Sequence, residues 1–401
     1  MSTNNPFCLS FGKEPDRYVE RAEAYSQIRD NLDSMSPAAN CYLIMGVRGI
    51  GKTVLLSTVA NEYRKRDDWV VVSLNPGRNL LEMLAAALYE DGRLQRHFLD
   101  ASLNLSKFGI GFDIKKKPPI SDIQIAIEKM VRIVSDEGKR LLITIDDVTK
   151  NKDVVGFACA FQDMITQRME AFLLMTGLYE NIYSLQTDKR CSFLMRAEKI
   201  ILKPLNLIGM KNQYRQTFQC DEKTAFDMAA FTKGYSYAFQ VLGYIMWDKD
   251  CSLEEAAPFF DERMSGYCYE KIWNDLPERE KEIVSLLALN TEMKTKDLIR
   301  SIGCGPKAFS VQRDRLIKKG IVDGRQRGSL RLILPRFGEY IRTTGYGSPE
   351  NYANEYLKVK NRADDIVLTD DDSIIIELLH DLSPEQKKRL IRYLESLRGR
   401  T

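Results

Sequence analysis

An α/β fold built on a parallel sheet is what the sequence predicts, and three observations lead to it. Short apolar segments alternate with amphipathic segments throughout residues 40–180, and chains that alternate strands with helices form parallel sheets. A glycine-rich segment lies between the first apolar segment and the amphipathic segment that follows it. Beyond Leu205 the strand signal ends and helical periodicity takes over. We therefore expect a sheet with helices on both faces, followed by helical units.

The predicted elements of the sheet region follow from the spacing of apolar residues. Uninterrupted apolar runs are typical of buried parallel strands, whereas apolar residues three or four positions apart indicate one face of a helix. Residues 103–114 differ, because apolar residues mostly alternate there and Gly109 and Gly111 interrupt the run, which indicates a small hairpin. The strands are predicted at 41–45, 69–74, 141–145 and 171–175, and the helices at about 20–34, 52–65, 79–89, 120–135 and 154–168.

Length and composition restrict the class of protein. A chain of 401 residues that is 44% hydrophobic and 29% charged is typical of a globular protein with two or three domains. Its eight cysteines form no C-x-x-C pair and it has two histidines, which argues against a zinc site and favours reduced thiols. The sequence shows no signal-peptide pattern and no apolar run of about 18 residues, so we expect a cytoplasmic protein without a membrane span.

The glycine-rich segment fits the pattern G-x-x-x-x-G-K-[ST] at every fixed position. Glycines let backbone N–H groups turn inward around phosphate oxygens, and the positive end of the following helix adds to the attraction. In this pattern Lys52 brings a charge to the β- and γ-phosphates and Thr53 brings a hydroxyl to Mg²⁺. The flanking strand and helix argue against a chance glycine turn, so we expect the chain to bind ATP or a related nucleoside triphosphate. The loop consists of Gly46, Val47, Arg48, Gly49, Ile50, Gly51, Lys52 and Thr53.

Polar side chains follow two later strands at the points where those strands end. Asp146 and Asp147 come directly after the third predicted strand, and Thr176 follows the fourth. We expect Asp146 to join Thr53 at the Mg²⁺ ion and Asp147 to activate the attacking water, with Thr176 bonded to that water or to the γ-phosphate. The alternatives are that the aspartates cap a helix or end a strand in solvent, and that Thr176 belongs to an ordinary turn.

These motifs resemble those of AAA+ ATPases, in the branch that includes the origin-recognition ATPases and the STAND signalling ATPases. The resemblance covers about residues 5–345, with the glycine loop as Walker A, the aspartate pair as Walker B and Thr176 as sensor 1. The N-terminal residues Asn5-Pro6-Phe7, Phe11-Gly12 and Arg21 are similar to a segment that folds over the adenine. The resemblance therefore implies a P-loop ATPase that binds ATP and Mg²⁺, with Arg21 close to the nucleotide.

Other positions take their expected roles from the same resemblance. Arg196, or alternatively Arg190, falls where related proteins carry an arginine that reaches the nucleotide of a neighbouring subunit, although either residue could be an ordinary surface arginine. Residues 232–240 resemble the lid segment of the family, with Ser236 at the position of its usual proline. Asp147 stands in place of the commoner glutamate, which favours slow, switch-like hydrolysis.

Residues 275–345 are predicted to form a winged helix-turn-helix, with three helices followed by a hairpin. This region contains 15 basic and nine acidic residues, a net charge of +6, and the basic residues gather on the third helix and the hairpin tip. Such a distribution indicates contact with the phosphates of duplex DNA. The alternative is a winged helix that contacts only proteins. The candidate DNA contacts are Lys307, Ser310, Gln312 and Arg313 for base edges, and Arg325 and Arg327 for the minor groove or phosphates.

The predicted domains are an ATPase core at 1–205, a helical lid at 206–274, the winged helix at 275–345, and a linker with C-terminal helices at 346–401. Our leading hypothesis is an ATP-dependent DNA-binding AAA+ protein in which ATP locks an oligomer or a closed conformation. One alternative is a STAND-like switch that binds a protein partner. Another is a regulator of transposition, which would share the ATPase core and the contact with DNA.

Overall fold

The centre of the fold is a five-stranded parallel sheet, seen in a computed structural model that describes residues 4–10, 15–100, 104–110, 120, 122–290, 292–324, 326 and 328–344. Four strands confirm the predicted ones: β1 (Cys41–Met45), β2 (Trp69–Leu74), β3 (Arg140–Ile145) and β4 (Ala171–Gly177). A fifth strand, β5 (Glu198–Ile201), was not predicted. The order β2-β3-β4-β1-β5 places β1 between β4 and β5.

Seven helices accompany this sheet in the described residues, and most agree with the predicted spans to within a few residues. Side-chain caps explain several of their starting points: Asn79, Asp122 and Asn151 each accept a hydrogen bond from a backbone N–H in the first turn. The helices are α1 (Ala22–Leu32), α2 (Lys52–Arg64), α3 (Leu80–Glu90), α4 (Gln95–Asp100), α5 (Ile123–Asp136), α6 (Lys152–Thr166) and α7 (Tyr179–Gln186).

The predicted hairpin at 103–114 is wrong over its described part, residues 104–110. A short 3₁₀ helix (Ser106–Phe108) occupies this segment, and it ends at Gly109, which has a φ of 69°. The Asn104 side chain holds the turn by accepting from the N–H and the hydroxyl of Ser106. Leu105 and Ile110 are both buried, so within residues 104–110 the apolar residues pack from a compact turn rather than from pleated strands.

Two helical regions follow the sheet. The first contains α8 (Leu207–Phe218), α9 (Glu222–Phe231), α10 (Ser236–Lys249), α11 (Leu253–Met264) and α12 (Glu270–Asn274), with a π-helical segment (Ser265–Tyr269) before α12. The second contains four helices and three short strands in its described residues. Its elements are α13 (Glu278–Leu289), β6 (Glu292–Lys294), α14 (Thr295–Ile302), α15 (Pro306–Lys318), β7 (Val322–Asp323), β8 (Ser329–Leu332) and α16 (Phe337–Thr343).

The strands β6, β8 and β7 form a small antiparallel sheet in that order. β7 and β8 confirm the predicted hairpin, whereas β6 was not predicted. Arg325 and Arg327 at the hairpin tip lie outside the described residues, as do the predicted C-terminal helices within 346–401. Among the described residues, no helix is both long enough and apolar enough to cross a membrane.

The hydrophobic core has two parts, one on each face of the parallel sheet. Because side chains of a strand alternate between faces, Leu43 packs on one side with α3, α5 and α6, and Ile44 packs on the other side with α1 and α2. The part of the core that contains Ile44 continues through the helices of residues 207–274 into the 275–344 region. Residues from all three regions therefore surround the loop that follows β1.

Candidate nucleotide-binding site

The glycine loop lies between β1 and α2, as the sequence predicts. Gly49 and Gly51 have φ angles of 73° and 97°, which disfavour any residue with a side chain. Gly49 also needs to be small, because a Cβ atom there would lie 2.6 Å from the Tyr235 hydroxyl. The loop therefore takes its shape from both the backbone freedom of glycine and the closeness of the lid.

Lys52 is the charged residue at the start of α2, and its side chain is buried. Its ammonium donates to the carbonyl oxygens of Gly46, at 3.0 Å, and Val47, at 3.2 Å. Burial lowers its pKa, whereas the charges of Asp147 and Asp146 act in the opposite direction. These contacts hold the positive charge inside the loop, where a phosphate anion would be attracted.

Asp146 connects three elements at the carboxyl edge of the sheet. Thr53 donates from its hydroxyl to Asp146 Oδ2 at 2.8 Å, and Thr176 donates to Asp146 Oδ1 at 2.5 Å. The Thr176 hydroxyl also accepts from the backbone N–H of Asp147 at 2.9 Å. The structure thus brings together the predicted Mg²⁺ ligands and the predicted sensor residue in one hydrogen-bonded group.

Asp147 has an unusual backbone for a residue with a side chain, with a φ of 50°. Two hydrogen bonds from neighbouring backbone N–H groups to Thr176 hold this turn, one from Asp147 itself and one from Val148 to the Thr176 carbonyl at 2.8 Å. Its side chain is exposed, in contrast to the fully buried Thr176. The carboxylate is therefore open to solvent at the position where the sequence predicts a water-activating base.

Arg21, predicted to lie near the nucleotide, is bonded to the protein itself. Its guanidinium donates to the carbonyl oxygens of Lys203, at 2.7 Å, and Ile50, at 2.5 Å, and to the Ser236 hydroxyl at 3.2 Å. Burial lowers its pKa to about 10, which leaves it charged at neutral pH. The structure therefore places Arg21 as a support of the glycine loop from the side of the N-terminal segment.

Residues 235–237, which the sequence predicts to belong to a lid, contact three successive carbonyl groups of the loop. The Tyr235 hydroxyl donates to the carbonyl of Arg48, the Tyr237 N–H donates to that of Gly49 at 2.9 Å, and the Ser236 hydroxyl donates to that of Ile50 at 2.7 Å. Sequence reasoning singled out Ser236 and missed the two tyrosines. Their signal was available in the same Tyr-Ser-Tyr segment, where aromatic residues flank the position of the expected proline.

The two arginine candidates differ in their surroundings. Arg190 donates twice to the Asp188 carboxylate, at 3.1 and 3.2 Å, and Lys150 pairs with the same carboxylate at 3.1 Å. Arg196 is exposed at the end of a 3₁₀ segment (Lys189–Arg196), and its side chain forms no hydrogen bond or ion pair with the described residues. Arg196 is therefore better placed than Arg190 to reach a second molecule.

The candidate DNA contacts on α15 divide into two groups. Lys307 and Ser310 are exposed in the first half of the helix. Arg313 is partly buried and donates to the carbonyl of Gly324 at 3.0 Å, so it ties the helix to the following hairpin. The Oε1 atom of Gln312 is buried and has no hydrogen-bond partner among the described residues. Only the first group therefore faces outward in this conformation.

Two regions match protein-family models. Residues 17–169 match the AAA ATPase domain, and residues 267–341 match a domain of unknown function (DUF8462). A comparison with curated protein sequences finds no match.

Solved structures share the fold at low sequence identity. The Walker-type ATPase PABY2304 of Pyrococcus abyssi is 12% identical with a TM-score of 0.56, over 82% of this chain and 96% of that one. The Aeropyrum pernix ORC2 protein is 14% identical with a TM-score of 0.53, over 84% of this chain and 98% of that one. Both likenesses therefore cover more of the chain than the predicted ATPase core at 1–205.

Proposed function

We propose that this chain, an AAA+ P-loop ATPase related to the origin-recognition proteins, binds duplex DNA under the control of Mg-ATP. In this proposal residues 1–205 form the ATPase core, 206–274 the lid and 275–345 the DNA-binding unit. The observation that carries the proposal is that α15, whose first half exposes Lys307 and Ser310, belongs to the same compact unit as the nucleotide loop. Nucleotide binding at the loop can therefore influence what α15 contacts.

The residues at the loop fit Mg-ATP. Thr53 and Asp146 supply the oxygen atoms that Mg²⁺ prefers, and their side chains are already 2.8 Å apart. Bound Mg²⁺ would neutralise charge on the phosphates. Lys52 would bind a phosphate oxygen, Thr176 would hold Asp146 in place, and Asp147 would orient and deprotonate the attacking water. In support, the Aeropyrum pernix ORC2 structure was determined as ADPNP-ADP complexes.

The DNA contact rests on charge and exposure. Lys307 and Ser310 are exposed near the start of α15, and the surrounding 275–345 region carries a net charge of +6. Duplex DNA attracts such a surface through its phosphates, and the positive end of a helix favours phosphate contacts as well. Arg325 and Arg327 add to the same positive charge in the sequence.

Fluorescence anisotropy of a labelled duplex tests the proposal. We expect binding that weakens steeply between about 50 and 200 mM salt and that differs between Mg-ATP and nucleotide-free protein. Lys307→Ala should weaken binding and reduce the salt slope by about one unit, because one phosphate contact is lost. Lys199→Ala is the matched control, since Lys199 is exposed on the edge strand β5. Absence of binding at about 50 mM salt would reject the DNA proposal.

A second candidate is a STAND-like switch in which the 275–345 region contacts a protein. One observation favours it: this region packs directly against the glycine loop. A Cβ atom at Gly320 would lie 3.5 Å from the Cβ of Val47, and Arg48 pairs with Asp275 at 3.9 Å. A protein that changes its oligomeric state with Mg-ATP but ignores DNA at low salt would support this candidate instead.

A further inference from the structure

A cluster of three ionisable side chains, two of them buried or nearly so, lies outside the nucleotide site. The Lys319 ammonium is 2.6 Å from Glu280 Oε2 and 2.9 Å from Glu180 Oε1. Glu280 is fully buried and Lys319 is nearly so, whereas the Glu180 side chain is half exposed. Buried charges are costly unless they are paired, so Lys319 is held where both carboxylates can reach it. We call these three residues the Lys319 cluster.

The Lys319 cluster joins two regions of the fold. Glu280 lies on α13, and Lys319 follows the last residue of α15, so both belong to the proposed DNA-binding unit. Glu180 lies in the first turn of α7, which belongs to the ATPase core. The pair between Glu280 and Lys319 is thus internal to one unit, and the pair between Glu180 and Lys319 connects that unit to the other.

Helix α7 is packed tightly against the end of β4, which carries Thr176. A Cβ atom at Gly177 would lie 3.1 Å from the Ile182 side chain and 3.3 Å from that of Val148. Val148 in turn donates its N–H to the Thr176 carbonyl at 2.8 Å. A shift of the first turn of α7 would therefore change the position of Thr176, which donates a hydrogen bond to the predicted Mg²⁺ ligand Asp146.

Helix α15 carries the proposed DNA contacts at one end and the connection to α7 at the other. Lys307 and Ser310 are exposed in its first half, whereas Lys318 lies 5.5 Å from the centre of the Tyr179 ring at its last turn. An intact helix moves as a rigid element, so a tilt imposed on its first half also displaces its last residues. A short series of contacts therefore connects the proposed DNA-binding residues to the nucleotide site. It runs through α15, Lys319, Glu180, α7 and Thr176.

We propose that the Lys319 cluster couples DNA binding on α15 to ATP binding at the glycine loop, with Glu180 and Lys319 as positioning residues. This inference rests on the proposed function and adds the route of its regulation. DNA that tilts α15 would alter the pair between Lys319 and Glu180 and thereby the position of Thr176. Because thermodynamic coupling is reciprocal, Mg-ATP would change the affinity for DNA by the same factor.

Glu180→Gln is the decisive variant, because it removes the connection between the units and leaves the buried pair of Glu280 and Lys319 intact. The coupling factor is the ratio of Mg-ATP dissociation constants with and without saturating duplex, measured by isothermal titration calorimetry. We expect a factor of about 5 to 150 in the wild type, the range typical of coupled sites. In Glu180→Gln it should fall to about one, with the affinity for each ligand alone changed less than about twofold.

Two further variants separate coupling from general structural effects. Asp153→Asn removes an acidic side chain from the first turn of α6, as Glu180→Gln does for α7, and should keep the wild-type factor. Glu180→Asp keeps the charge and should restore part of the coupling. Wild-type coupling in Glu180→Gln would overturn the inference, as would weaker Mg-ATP binding by this variant without DNA.

Hydrogen exchange distinguishes failure of this inference from failure of the proposed function. In the absence of DNA, Mg-ATP should change the exchange rates of α15 amides in the wild type but not in Glu180→Gln. A wild type that responds in this way yet never binds DNA would reject DNA as the partner and support the Lys319 cluster as the connection. If the wild type binds DNA but its α15 amides respond to Mg-ATP in the same way as those of Glu180→Gln, the connection is overturned.

Discussion

At the scale of single residues, the carboxyl edge of the sheet is organised by hydroxyl groups. Thr53 and Thr176 each donate to Asp146, and Thr176 also accepts from the backbone of Asp147. A threonine can do both because a hydroxyl is a donor and an acceptor. The sequence places these residues after neighbouring strands, but the order of the hydrogen bonds depends on side-chain rotamers that no sequence pattern specifies.

Lys52→Ala tests whether the glycine loop is the nucleotide site. Loss of a hydrogen bond from a charged group costs about 1.5–3 kcal/mol, so Mg-ATP should bind at least about tenfold more weakly. Isothermal titration calorimetry measures the change. Lys65→Ala, an exposed position directly after α2, is the control and should bind like the wild type. If both variants bind ATP equally well, the nucleotide lies elsewhere.

Thr176→Val should reduce hydrolysis more than it reduces ATP binding. Valine has a similar shape but leaves Asp146 without a donor and the Asp147 N–H without an acceptor. We expect kcat to fall by about tenfold or more while KM changes little, and stability to fall by about 1–3 kcal/mol. Thr176→Ser keeps both hydrogen bonds and should retain most of the activity. Equal kcat values for the two variants would show that the hydroxyl is not needed.

At the scale of elements, replacing a glycine by alanine should have opposite effects on stability in the glycine loop and in helix α6. Gly49→Ala should destabilise the protein, because its φ of 73° costs a residue with a side chain about 1–2 kcal/mol and its Cβ would collide with Tyr235. Gly156→Ala, inside α6, should stabilise by about 0.5–1 kcal/mol, since its Cβ would meet no atom of the described residues outside its own helix within 4 Å. Urea unfolding of both variants measures the difference, and a change of the same sign would contradict this reading.

The elements that the sequence predicts well are those with a strong hydrophobic period. Strands β1 to β4 are almost wholly buried, so their apolar runs stand out. The missed strand β5 lies at the sheet edge with only Ile200 buried, and β6 pairs with β8 through three residues that are mostly exposed. Both segments become strands because they pair with a neighbouring strand, not because their own residues show a strand pattern. This is a tertiary effect that local sequence patterns do not show.

At the scale of the whole molecule, the glycine loop is enclosed by three regions of the chain. The N-terminal segment contributes Arg21, the lid contributes Tyr235, and the 275–344 region contributes Gly320. The family resemblance implies that Arg21 lies near the nucleotide, whereas no sequence motif specifies the contacts of Tyr235 and Gly320 with the loop. Together these contacts place the N-terminal segment, Tyr235 and the 275–344 region in direct contact with the loop itself.

The last prediction concerns assembly, because Arg196 is exposed and its side chain forms no hydrogen bond or ion pair within the described part of the chain. If it meets the γ-phosphate in a second subunit, Arg196→Ala should lower the ATPase rate by at least about tenfold, since such arginines contribute large factors to hydrolysis. Binding of Mg-ATP should change little. Arg190→Ala should have a smaller effect, because Arg190 is held by Asp188.

Mixing two inactive variants makes this test specific for contact between subunits. Arg196→Ala keeps an intact glycine loop, and Lys52→Ala keeps an intact Arg196, so a mixed assembly contains sites that have both groups. Hydrolysis should therefore reappear when the two variants are combined, and it should rise with total protein concentration. If the mixture stays as inactive as its components while each variant still assembles, Arg196 acts within its own subunit or not at all, and the oligomeric mechanism is excluded.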